Sequence, residues 1–146
     1  MLANPEVELQ GMRERNSNSN KKNMSRELSK RRKITGWVMA GLLTAMLLFS
    51  AMGKLTMPEM AESFAKWGLS NWITVVAIGE IVSVLLFLFP KTTVFGLLLL
   101  SAHMGGAIVT HMGHDESFIM PSIILILIWI AGFIRNPELL TNDSGK

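Results

Sequence analysis

After residue 33 the chain alternates between long apolar runs and short polar segments. Four of these runs approach the roughly 20 residues that a helix needs to cross a hydrocarbon core about 30 Å thick. Because backbone polar groups cannot be left unpaired in lipid, each run is predicted to form a transmembrane helix. The pattern therefore predicts an all-α fold, an integral membrane four-helix bundle. The predicted spans cover residues 34–51, 72–89, 92–110 and 118–134.

The segments between the spans indicate how neighbouring helices are connected. Spans two and three are separated only by Pro90 and Lys91. They are predicted to form an antiparallel hairpin, since Pro ends one helix and stands readily near the start of the next. The segment 53–71 is longer, and its pattern allows either a short amphipathic helix or an irregular loop. The apolar positions of that helix would be Met57, Met60, Ala61, Phe64 and Trp67.

Basic residues are concentrated before the first span. Residues 1–33 contain nine of the 14 Lys and Arg residues and four of the 11 acidic residues. Cytoplasmic flanks of membrane helices carry an excess of Lys and Arg, which places the N-terminus in the cytoplasm. With four spans the C-terminus lies there too, and Lys91 and Arg135 fall on the same side. Basic residues beside an apolar run favour anionic lipid headgroups, and nucleic-acid binding is not expected.

The chain is predicted to divide into two tails and one membrane domain. Residues 1–33 are predicted to be a disordered basic cytoplasmic tail, because residues 1–23 have few apolar side chains. Met24 would serve equally well as a first residue, which leaves open whether the stretch before it is translated. The four-helix domain is predicted over 34–140, and a short cytoplasmic tail over 141–146.

Composition narrows the classes of function. Apolar residues make up 49% of the 146 residues and charged residues only 17%, as expected for a multi-pass membrane protein. The absence of Cys excludes disulfides, thiol catalysis, iron–sulfur clusters and thiolate zinc sites. No nucleotide-binding loop, hydrolase elbow or metalloprotease motif occurs. A self-contained enzyme is therefore not expected, no catalytic residue is assigned, and redox chemistry would need a bound cofactor or a partner subunit.

Glu80 is the main candidate for a functional residue, since a carboxylate inside a span is costly unless it is protonated, paired or hydrated. It is predicted to face the bundle interior. At about 1.5 Å per residue, Glu80 and His103 lie at nearly the same depth in the hairpin, so a hydrogen bond, direct or through one water, is predicted. The pair either joins two helices or forms a ligand or proton site. The candidate ligand or proton site comprises Lys54, Glu80, His103, Thr110 and His111.

A second polar group is predicted at the outer surface, where Lys54 ends the first span and His111 follows the third. His111 and His114 are three residues apart and could bind a divalent metal together with Asp115 or Glu62. Two His residues without a third fixed ligand do not define a metal site, and a hydrated loop is the plainer interpretation. The 11 Met residues also allow copper(I), although Met is an ordinary filler of apolar helices.

Glycines in the third span are candidates for close helix packing. Gly96, Gly105 and Gly106 lack side chains, and small residues let membrane helices approach closely. The same property would let this span dock a helix of a partner protein.

Five short motifs occur in a fixed order along the membrane domain, and together they resemble the DoxX-like family of small four-helix bacterial membrane proteins over residues 34 to about 140. The motifs are SAMGKL at 50–55, IGE at 78–80, FPKT at 89–92, GGAIVTHM at 105–112 and WIAGFIR at 129–135. Similar sequences often place an aromatic hydroxyl at the position of His103 and a Gly at that of Ala51. The residues that the family motif singles out are Lys54, Glu80, Gly105, Gly106, His111, Trp129 and Arg135.

The resemblance implies a four-helix bundle in the bacterial cytoplasmic (inner) membrane. The wider family takes its name from a subunit of a thiosulfate:quinone oxidoreductase, and its distant eukaryotic relatives include receptor chaperones. It therefore implies an accessory subunit of a redox-linked complex, with quinone as the candidate cofactor and a membrane or soluble protein, or a second copy of the chain, as partner. The alternatives are an assembly factor or chaperone that docks partner helices and, less favoured, a small-molecule carrier.

Overall fold

Helices joined by short connections make up the part of the chain that the computed structural model describes, which is residues 5–137. No strand occurs within that range, and the predicted all-α class is confirmed. The predicted tail over 141–146 lies outside the described residues, as do residues 1–4 and 138–140. The helices are α1 (Pro5–Thr56), α2 (Pro58–Lys66), α3 (Ile73–Leu88), α4 (Thr93–Gly113) and α5 (Ile119–Arg135), and a 3-10 turn covers Ser70–Trp72.

Several helices are suited to a lipid environment. Among the described residues, three helical segments are long and apolar enough to cross a membrane: Leu9–Thr56, Ser70–Leu88 and Thr93–Gly113. Helix α5 is also apolar, and its 17 residues span about 26 Å. The bounds of α3, α4 and α5 agree to within a few residues with the predicted spans 72–89, 92–110 and 118–134. The four-span topology with both ends in the cytoplasm stays a prediction.

The chain divides into two units, Met1–Thr35 and Gly36–Lys146. In the first unit the structure differs from the expected disordered tail, because α1 begins at Pro5. The expectation rested on the lack of apolar side chains that could pack, and the side chains described between Glu6 and Thr35 are indeed exposed. The Glu, Lys, Arg and Leu residues of this segment favour helix locally, so its backbone bonds form without a packing partner. Its Asn and Ser residues, most of them within 16–20, are weaker helix formers.

The core of the second unit lies where the apolar faces of α1, α3, α4 and α5 meet. Helix α4 packs against both α3 and α5, so α3 and α4 are neighbours, as the short connection predicts. Buried side chains from all four helices form one continuous cluster. Its members are Ala40, Leu43, Leu47, Val84, Phe87, Leu97, Leu100, Met104, Ile128 and Ala131.

Two contacts hold the end of α3 in place. A Cβ atom added to Gly96 would overlap the backbone of Leu86 and Phe87, so α4 approaches α3 more closely than any side chain would allow. The guanidinium of Arg135 donates hydrogen bonds of 2.7 Å to the carbonyl oxygens of Phe87 and Leu88. It also lies 4.7 Å from the ring centre of Trp37. Arg135 therefore satisfies carbonyls that have no partner within α3.

The segment after α1 contains the amphipathic helix that the sequence allowed. Helix α2 starts with Pro58, which suits the first turn because its missing N–H would be unpaired there. Phe64 is buried and Met60 and Trp67 are partly buried, whereas Met57 and Ala61 are exposed. After Trp67 the chain turns at Gly68, whose φ of +70° favours glycine. Helix α2 therefore lies across the end of the bundle with its aromatic side inward.

Candidate functional site

Glu80 is buried at the centre of α3. Its exposed fraction is 1%, and it shares the inward face of the helix with Ala77, Ser83 and Val84. These positions follow the three-to-four residue spacing of one helix face. The expectation that Glu80 faces the bundle interior is confirmed by this burial; its functional role stays a prediction.

Lys54 neutralises this carboxylate. Its Nζ donates a hydrogen bond of 2.7 Å to Glu80 Oε2 and another of 2.8 Å to Ser50 Oγ, one turn earlier in α1. The sequence predicts Lys54 at the surface, a full span away from Ile34, and pairs Glu80 with His103 instead. A Lys stem carries its charge several ångströms from the Cα atom, so residues at different helical levels can still pair. Ser50 and Lys54 lie one turn apart on the same face of α1. This spacing is the sequence signal that indicates an inward position for Lys54.

His103 lies beside the ion pair without closing a hydrogen bond to it. Its Nε2 is 3.7 Å from Glu80 Oε2, which exceeds hydrogen-bond distance. A direct hydrogen bond between Glu80 and His103 is therefore not formed, and a bond through one water stays a prediction. The imidazole and the ammonium of Lys54 approach the same carboxylate oxygen.

A cavity of about 210 Å³ adjoins the ion pair, and we call it the inner cavity. Its polar lining comes from Ser50, Lys54, Glu80, His103 and His111. The rest of its wall is apolar. Those residues are Met46, Leu47, Met60, Phe64, Trp67, Met104, Pro121 and Ile124. The cavity therefore has the size of a small headgroup, with charged and polar groups on an otherwise apolar wall.

A second concavity of about 240 Å³ lies against α3 and α4, and we call it the side groove. Small residues of α4 line it, together with apolar residues of α3 and of the connecting segment. Four residues line both the side groove and the inner cavity: Phe64, Trp67, His103 and His111. The residues that line only the side groove are Leu69, Val76, Ala102, Gly106, Ala107 and Thr110.

Glu116 fixes the aromatic end of α2. Trp67 Nε1 donates a hydrogen bond of 3.2 Å to Glu116 Oε1, and the Trp67 ring packs edge-on against His111 at 5.2 Å. His111 Nδ1 lies 3.0 Å from Glu116 Oε2 but is not aligned for a hydrogen bond, so this contact is electrostatic when the imidazole is protonated. One carboxylate thus holds Trp67, directly after α2, next to His111 of α4.

Comparison with known proteins identifies the family. The sequence profile of the DoxX-like family matches residues 38–131, which cover most of the second unit and every residue of the ion pair. The chain belongs to the DoxX-like family. No curated protein and no solved structure matches the chain. Family membership therefore rests on the sequence profile, and the arrangement of the site rests on the contacts of this DoxX-like chain itself.

The candidate metal ligands around His111 in this DoxX-like protein make separate contacts. His114 Nδ1 lies 2.8 Å from the carbonyl oxygen of Thr110, and Asp115 adopts a left-handed turn with φ of +56°. Glu62 is exposed on α2. Within residues 5–137, no group of three or more His, Asp or Glu side chains is placed to hold a metal ion.

The three glycines of α4 that the sequence marks as packing candidates differ in their surroundings. Gly96 packs against α3, as predicted, whereas a Cβ atom added to Gly105 or Gly106 would have no neighbouring atom within 4 Å among the described residues. Thr110 Oγ1 donates a hydrogen bond of 2.9 Å to the carbonyl oxygen of Gly106, within its own helix. Gly105 and Gly106 therefore do not serve helix packing inside this DoxX-like chain, and Gly106 instead forms part of the side groove.

Proposed function

We propose that this DoxX-like protein is an accessory subunit of a redox-linked complex in a bacterial cytoplasmic membrane, and that its inner cavity binds the headgroup of a quinone-like molecule. The protein itself then carries out no bond chemistry. It holds the ligand for a membrane or soluble partner that does.

The observation that carries the proposal is the unfilled bonding capacity of the buried ion pair. An ammonium group has three N–H donors, and Lys54 uses two of them, on Ser50 and Glu80, among the described residues. Glu80 Oε2 accepts from Lys54, while Oε1 makes no hydrogen bond within residues 5–137. Both residues line the inner cavity. One donor and one acceptor therefore remain for a ligand in an apolar surrounding, where such bonds are strongest.

A quinone headgroup matches this pair of groups. Its carbonyl oxygens accept hydrogen bonds, and the reduced form also donates them, so Lys54 and Glu80 can each be satisfied. The planar ring would lie among the apolar and aromatic side chains of the cavity, including Phe64 and Trp67. A proton relay uses the same carboxylate but needs no retained ligand.

The test is retention of a quinone by purified protein in lipid nanodiscs. Wild-type protein is expected to bind decylubiquinone at one site. The double variant Lys54→Met, Glu80→Gln lacks the donor to the quinone carbonyl and leaves no buried charge unpaired, so it is expected to lose binding while it still inserts and elutes as wild type. Glu59→Gln, which changes an exposed carboxylate of α2, is the matched control and should bind normally. Equal binding by wild type and the double variant, or no binding by wild type, would contradict the proposal.

Open space at Gly105 and Gly106 favours a second candidate, an assembly factor or chaperone that docks a partner helix on α4. In that case Gly105→Leu and Gly106→Leu should both abolish co-purification of a partner protein, and Glu80→Gln should not. A quinone-binding subunit instead loses quinone binding when the ion pair of Lys54 and Glu80 is replaced.

A further inference from the structure

We infer that the ligand of the inner cavity is a molecule dissolved in the bilayer and that it arrives sideways from the lipid, through the side groove and past Trp67. This inference rests on the proposed function and deepens it, because it names the ligand class. That class is an amphiphile whose headgroup forms hydrogen bonds and whose tail can stay in lipid.

Part of the side groove lies along the apolar helices α3 and α4, on a face that lipid can cover in a membrane. Gly106 lies about 10 Å along the axis of α4 from Gly113, well inside the helix. Around the groove, Val75 of α3 is 57% exposed and Val109 of α4 is 70% exposed. Apolar side chains this exposed within membrane-spanning helices are in contact with acyl chains. A ligand dissolved in the bilayer can therefore reach the groove directly from the hydrocarbon.

The floor of the groove leaves room for a ring. Ala102, Gly106 and Ala107 line it, and the position of a Cβ atom on Gly106 has no atom of the described residues within 4 Å. At its inner limit stand His103 and His111, whose ring nitrogens can hydrogen-bond a headgroup. The groove thus offers an apolar approach that ends at polar groups, as an amphiphile requires.

The wall between the groove and the inner cavity is one layer of side chains. Phe64, Trp67, His103 and His111 each line both spaces. Within this wall, Trp67 lies just beyond the end of α2 and before the turn at Gly68. Its indole is anchored by the hydrogen bond to Glu116. Rotation of this one ring would join the two spaces. Trp67 is therefore the gate between them, and its hydrogen bond to Glu116 keeps the gate closed.

The experiment compares substitutions at two adjacent glycines, of which one lines the side groove and the other does not. Gly105 and Gly106 both have open space for a side chain, but only Gly106 lines the groove. We expect Gly106→Leu to slow binding of radiolabelled decylubiquinone in phosphatidylcholine nanodiscs by about tenfold, a change typical of obstructed association. Gly105→Leu should bind at the wild-type rate. Ala102→Leu, at a second groove position, should act like Gly106→Leu and provides the result if that variant does not fold.

A gate variant tests the other half of the inference. Trp67→Phe keeps an aromatic ring but loses the N–H that bonds to Glu116, so binding should become faster than in wild type. Equal rates for wild type, Gly106→Leu and Ala102→Leu would overturn the lipid route. If the double variant Lys54→Met, Glu80→Gln still lacks binding in that case, the proposed function stands and the ligand enters from the aqueous side. If wild type binds no decylubiquinone, the proposed function falls, and the inference falls with it.

Discussion

Lys54 at the end of α1 donates a hydrogen bond of 2.7 Å to Glu80 at the centre of α3, and only 11% of the Lys54 side chain is exposed. Each charged group is therefore stabilised mainly by the other, because little water reaches either of them. Removing one partner of a buried pair leaves an uncompensated charge, which costs more than removing both.

The ion pair predicts a non-additive mutant cycle. Lys54→Met should destabilise the protein by about 3 kcal/mol, because it strands the Glu80 carboxylate in an apolar surrounding. The double variant Lys54→Met, Glu80→Gln should recover most of that loss, since no charge remains. Thermal unfolding in mild detergent measures both. If the double variant is as unstable as the sum of the single ones, the two residues do not interact.

Close packing at Gly96 predicts opposite effects of the same substitution at two glycines of α4. Gly96→Ala should destabilise the protein by about 2 kcal/mol or more, because its methyl group would meet the backbone of α3. Gly105→Ala should stabilise it by about 0.5 kcal/mol, because Ala favours helix and has open space there. Melting temperatures of the two variants provide the comparison. A neutral result at Gly96 would show that α3 and α4 are further apart.

The guanidinium of Arg135 predicts that Lys cannot replace it. Lys has no planar pair of donors, so Arg135→Lys should lose one of the two bonds to Phe87 and Leu88 and the stacking on Trp37. The expected cost is about 1–2 kcal/mol in chemical or thermal unfolding. Arg32→Lys, at an exposed position, serves as the control and should unfold as wild type. Equal stability of the two variants would mean that the clamp contributes nothing.

The absence of native Cys makes the predicted topology directly testable. Ser25→Cys should react with a membrane-impermeant maleimide only after the cells are permeabilised, because the N-terminus is predicted to be cytoplasmic. Ser117→Cys, between α4 and α5, should react in intact cells. Both positions are exposed, and buried Ser83→Cys controls for non-specific labelling. Reaction of both exposed positions from the same side would contradict the four-span arrangement.

The sequence by itself determined the helical class, the apolar helices and the family. These features follow from local quantities: the length of an apolar run, the Pro at the α3–α4 connection, and the motifs around Lys54 and Glu80. Burial of Glu80 was predictable for the same reason, because the cost of a carboxylate in hydrocarbon depends on its place in one span.

Only the tertiary structure decided which groups meet that carboxylate. Helix depth counted along the backbone pairs Glu80 with His103. The long side chain of Lys54 nevertheless brings its ammonium to 2.7 Å from Glu80 Oε2, whereas the imidazole of His103 stays at 3.7 Å. The different roles of the glycines are also decided by the tertiary structure. Both Gly96 and Gly106 are packing candidates by sequence, but only Gly96 has the backbone of another helix opposite it. Pairing partners and cavities depend on how separate helices approach one another, and that distance is not encoded in the periodicity of any one helix.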